Sequence, residues 1–157
     1  MNMENGYEVI TIVIVLIFAL IGIGIGVMFL LTIQNALKEV GESRRKIAPS
    51  NVWLMFIPLF NIIYGFILFP QASDSIKEEY AFRGLTAKGD FGRGIGITLP
   101  ILNLVGAIPI IGSLASLANL VLFIIYWVKM SEYKNELRSK PFAEAEIVGT
   151  NNDLLDD

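Results

Sequence analysis

The chain holds no histidine and no cysteine. Thiol nucleophiles, imidazole bases, Cys/His metal sites and disulfides are therefore excluded. Asp74, Glu78, Glu79 and Asp90 make the only sizeable acidic group between apolar stretches. They lack EF-hand spacing and read as the solvated face of a short helix. Residues 89–96 are glycine-rich, but no GK[ST] ending follows and no strand precedes them. A phosphate loop is therefore not expected. The sequence offers no catalytic residue, no cofactor site and no metal site, and an enzyme is not expected.

Amides, small residues and prolines remain. Asn61, Asn103 and Asn119 fall inside apolar stretches. A polar group in hydrocarbon needs a partner, so each must face protein or water. Interhelical hydrogen bonding is the expected role, with a shared polar site as the sharper alternative. Gly22 and Gly26 have GxxxG spacing, which lets two helix backbones approach closely. Gly112 and Ser116, with Ser113, Ala115 and Ala118 beside them, predict a close turn and tight helix packing. Pro58, Pro100 and Pro109 each remove a backbone donor from an apolar run and are candidate helix breaks. Broken helices can line substrate sites in transporters.

The elements that carry these residues are apolar blocks. Of 157 residues, 54% are hydrophobic and 17% charged, against about 25% charged in soluble domains. The blocks cover residues 9–33, 52–69, 94–111 and 113–128, and none contains Asp, Glu, Lys or Arg. That absence argues against a proton relay or a voltage sensor. The first block is long enough to span a bilayer of roughly 30 Å hydrocarbon thickness. Its flank carries Glu4 and Glu8 and no base, so a retained transmembrane helix is expected and not a signal peptide. The other blocks sit at the lower length limit for a span. Ser75 and Glu78 have capping-box spacing and Gly84 stands at a helix stop, which predicts a polar helix over 75–83. Residues 141–157 carry five acids and no base and read as a disordered tail after a helical membrane domain of residues 1–140.

Lys and Arg set orientation. The turn between blocks three and four has none, and neither does the N-terminus. If all four blocks span, the basic residues divide eight to four. If block two is re-entrant, all twelve share one side. Both versions put the C-terminus in the cytoplasm. The run Arg44-Arg45-Lys46 is expected against anionic headgroups. With a net charge of −3, no nucleic-acid partner is expected.

Pro49-Ser50-Asn51-Val52-Trp53, Phe56-Ile57-Pro58-Leu59-Phe60-Asn61 and Ser73-Asp74-Ser75-Ile76-Lys77-Glu78-Glu79 precede a later Ile124-Ile125-Tyr126-Trp127-Val128-Lys129. Together these resemble small bacterial multi-pass membrane proteins of unknown function with a Trp-x4-Pro-x2-Asn segment. The resemblance covers residues 49–80 and 120–130. It implies a bacterial inner-membrane location and supplies no activity, cofactor or catalytic residue.

The expected fold is thus all-α and polytopic, with four apolar helical segments, the second a full span or re-entrant. The expected partners are the lipid bilayer and a second copy or a larger membrane complex. The expected function is non-enzymatic, with an oligomeric pore or small-molecule transporter as the alternative.

Overall fold

A computed structural model describes residues 3–86, 88–109 and 111–141. After Pro141 the acidic tail lies outside the described residues. Among them the chain is helical throughout: α1 (Met3–Lys38), α2 (Phe60–Phe82), α3 (Arg93–Gly106) and α4 (Gly112–Ser139). Two 3-10 helices, Glu42–Arg44 and Pro49–Phe56, connect α1 to α2.

Two helical stretches are long and apolar enough to cross a membrane, Gly6–Lys38 and Gly112–Ser139. This corrects the expectation of four. Block 52–69 is split by Pro58. The 3-10 helix ends at Phe56, and Leu59, with φ of 64°, turns the chain into α2. Only the first half of α2 is apolar; beyond Gln71 it is charged. The third block is a helix of 14 residues, roughly 21 Å at 1.5 Å per residue.

The polar helix at 75–83 is not a separate element. α2 runs unbroken from Phe60 through Pro70 to Phe82. Ser75 caps nothing: its hydroxyl donates to the Gln71 carbonyl at 2.7 Å and accepts the Lys46 backbone N–H at 2.8 Å. The stop at Gly84 is present. Gly84 has φ of 64°, its N–H reaches the Ala81 carbonyl, and the Leu85 N–H reaches that of Tyr80. That pair of bonds is a Schellman motif.

α1 has two halves of different character. From Val9 to Ile25 apolar side chains are exposed on every side; Phe18 and Leu20 are about 70% accessible. From Phe29 the pattern becomes one-sided. Phe29, Leu30, Ile33, Ala36, Leu37 and Val40 are buried, the spacing of a helix with one packed stripe. α4 answers with Tyr126, Met130, Tyr133 and Leu137.

Contacts set the helix directions. Phe29 meets Phe123 at 4.4 Å between ring centroids. The Trp127 indole donates to Thr32 Oγ1 at 2.9 Å, and Arg138 pairs with Glu39 at 2.9 Å. α1 and α4 therefore run parallel. α2 is parallel to both: Tyr126 donates to the Phe69 carbonyl and Tyr80 to Glu136. α3 runs the other way, with Arg93 on Asp74 and Pro100 against Gly65. The three parallel helices thus end together. Every Lys and Arg lies toward that polar end, and the turns around Leu59 and Pro109 lie at the apolar end.

Candidate functional site

The amides converge at the apolar end. Asn119 Nδ2 on α4 donates to Asn103 Oδ1 on α3 at 3.0 Å. Asn119 Oδ1 is buried and accepts from no group among the described residues. An unpaired buried acceptor carries a desolvation penalty of about 1–3 kcal/mol. The pair faces a cavity of about 280 Å³ lined by Gly26, Phe29, Phe69, Leu99 and Phe123 among others. A neighbouring cavity of about 240 Å³ is lined by Asn61, Gly65 and Pro100. Met55, Phe69 and Asn103 belong to both. The two cavities therefore adjoin, and all three amides line them.

Small residues make this geometry. A Cβ on Gly96 would meet Phe69 Cβ at 2.9 Å, and one on Gly65 would meet Pro100 at 3.3 Å. α2 and α3 therefore touch backbone to side chain. Gly112 lies so close to the Gly106 backbone carbonyl that a Cβ would overlap it. Ser116 Oγ stands 3.2 Å from a Cβ built on Gly106. Gly112 and Ser116 thus pack the α3–α4 turn. A Cβ on Gly22 would meet nothing within 4 Å, so the chain itself makes no use of the Gly22–Gly26 spacing for helix packing. Gly26 also has open space beside it, and that space is the first cavity.

The three prolines separate by role. Pro58 lies in the break before α2 and Pro109 in the turn before α4. Pro100 is not a break; it sits inside α3. Phe29, Met55, Phe69 and Phe123 were not singled out from the sequence. Their apolar side chains carry no signal that separates a cavity wall from a filled core.

At the polar end, charged residues expected at the surface are turned inward. Glu79 is 1% exposed. Its Oε2 accepts from Arg44 Nε at 2.6 Å and from the Gly41 N–H at 2.9 Å; Oε1 accepts from Arg83 Nε at 2.7 Å. Burial pushes this carboxyl up, but the hydrogen bonds from Arg44, Gly41 and Arg83 outweigh it and hold it below the ordinary value. Arg83 also donates to the carbonyls of Leu137, Lys140 and Glu39. Arg45 donates to those of Leu37, Val40 and Lys38. Helix C-termini leave carbonyls unsatisfied and carry partial negative charge. Three such ends meet here, and two guanidinium groups cap those of α1 and α4.

This adds partners to one reading and corrects another. Arg44-Arg45-Lys46 is bound to its own chain: Arg44 by Glu79 and the Phe82 ring, Arg45 by α1, Lys46 by Glu78 at 2.6 Å. The acidic group is not one solvated face. Glu79 is buried, and Asp90 accepts the N–H groups of Gly94 and Gly92 at 2.7 and 3.0 Å at the start of α3, which lower its pKa. Among the described residues no three acidic side chains gather as metal ligands. A cavity of about 380 Å³ opens beside the capped ends, between Lys38, Glu42, Arg45 and Arg138.

No protein family, curated protein or solved structure matches this chain.

Proposed function

We propose that this chain is a small integral membrane protein without catalytic activity that works by packing with itself or with a larger membrane partner. One observation carries the reading. Residues 9–25 of α1 expose apolar side chains around the whole helix circumference. A helix apolar on all sides belongs in lipid or against another protein. Continued to Ile33, the run is roughly 37 Å long, enough to cross with tilt.

The charges support an orientation. All twelve Lys and Arg gather at the end opposite the N-terminus. The positive-inside rule makes that end, and the C-terminus with it, cytoplasmic. Residues 49–82 and the α3–α4 hairpin each leave the cytoplasmic face and return to it, so block two is re-entrant. Its 3-10 helix packs against α1 and α2, the shelter such a segment requires. The resemblance of residues 49–80 and 120–130 to bacterial proteins supports the inner membrane as the location.

Chemical cross-linking tests the packing. The chain has no cysteine, so Gly22→Cys adds one unique thiol on the exposed face of α1. A bismaleimide should then join two copies, or one copy to a partner, in native membranes. A strictly monomeric particle in mild detergent, with no cross-link and no companion, overturns the proposal.

A second reading, an oligomeric pore or small-molecule transporter, is favoured by the three amides around adjoining cavities. Liposome flux decides it. Unchanged flux in Asn61→Ala and Asn103→Ala would remove those residues from the path.

A further inference from the structure

We infer that the cavity at Asn119 binds a neutral, long-chain amphiphile through a hydroxyl group. The inference rests on the membrane reading above. The wall is aromatic and aliphatic apart from the two amides, and no charged side chain lines it. A charged ligand would lose its hydration there without a counter-ion, so the ligand is neutral. Asn119 Oδ1 is buried and has no donor, so the ligand brings one. A hydroxyl meets both conditions.

The long chain follows from the helices around the cavity. Gly26 and Asn119 line the same cavity, on α1 and α4. Gly22 and Ile23, one turn before Gly26 on the same face of α1, are open: a Cβ on Gly22 would meet nothing within 4 Å, and Ile23 is exposed. An apolar tail can run from the cavity along this face. Asn119 lies ten residues before Lys129, roughly 15 Å along the helix from the first basic residue of α4. The hydroxyl is therefore held well inside the apolar layer, where the bilayer itself supplies few competing donors.

The test uses the full chain, captured on beads in mild detergent, with tritiated dodecan-1-ol as probe. Unlabelled dodecan-1-ol and dodecyl methyl ether compete; they differ in the donor hydrogen. The alcohol should saturate one site and compete about five- to tenfold more strongly than the ether, the worth of one hydrogen bond. Asn119→Leu should equalise the two competitors. Gly26→Leu, which adds a side chain into open space, should weaken alcohol binding at least tenfold while circular dichroism remains unchanged. Binding without saturation, equal competition in the wild type, or wild-type affinity in Gly26→Leu would overturn the inference. Carbonate extraction separates this from the membrane reading. Release of the protein by carbonate sinks that reading; retention together with equal competition sinks the cavity proposal alone.

Discussion

Lys46 and Ser75 stand 29 positions apart, yet the backbone N–H of Lys46 donates to the Ser75 hydroxyl at 2.8 Å. The Lys46 ammonium also pairs with Glu78 at 2.6 Å. These contacts close a loop: the 3-10 helix leaves the polar end, Leu59 reverses the chain, and α2 brings it back. Residues 49–82 thus leave the polar end and come back to it.

Single cysteines report this directly. Ser43→Cys and Lys88→Cys should label from the same side of sealed vesicles, and Gly6→Cys from the opposite side. Labelling of Ser43→Cys and Lys88→Cys from opposite sides would contradict the closed loop.

The Glu79 cluster should dominate the stability of the polar end. Glu79→Ala leaves Arg44 and Arg83 turned inward without a counter-charge. Breaking one side of a buried ion pair costs about 3–5 kcal/mol. Glu132→Ala removes an exposed partner of Lys88 and should cost less than about 1 kcal/mol. Arg83→Lys keeps the charge but cannot reach three carbonyls and a carboxylate with a planar fork, so it should fall between the two. Denaturation in mixed micelles measures all three.

Acid should loosen the same end. Hydrogen bonds from Lys88 and then Lys140 pull the Glu136 carboxyl down to about 2 from an ordinary value of 4.5. Glu79 shifts in the same direction. Both are held below the unfolded chain's value, so the unfolded state takes up protons first as pH falls. Their contribution is whole above about pH 4.5 and is lost as pH falls through the folded-state values. Tm should therefore drop between pH 5 and about pH 2. Glu136→Gln should flatten part of that slope. A Tm unchanged over this range would show that these pairs do not couple to folding.

Two glycines should respond in opposite ways. Gly112→Ala places a methyl group on the Gly106 carbonyl and should destabilise the α3–α4 turn by about 1–3 kcal/mol, as overpacking does. Gly22→Ala meets nothing in its own chain and should leave the monomer's stability unchanged or raise it by up to about 1 kcal/mol. If α1 packs with another helix at that face, Gly22→Ala should instead lower the cross-linking yield.

The sequence alone determined that the chain is helical and rich in apolar stretches, because uncharged runs of 16 to 25 residues are longer than strands usually are. It located the break at Pro58, since a missing N–H and a fixed φ act locally. It marked the small residues 112–116 as a tight turn and the amides as the polar groups within apolar runs. It misjudged what depends on partners. Ser75 carries a capping pattern, yet α2 continues through it, because Lys46 supplies the hydroxyl's other bond from far along the chain. Glu79 looks like a surface acid beside Glu78; it is buried because Arg44, Gly41 and Arg83 gather around it. Local dihedral preference and hydrophobic period are written residue by residue. Which helices run parallel, whose carbonyls an arginine caps, and that Asn119 keeps one oxygen unpaired beside a cavity are set only when distant segments meet, because each is a relation between side chains that the chain's order does not encode locally.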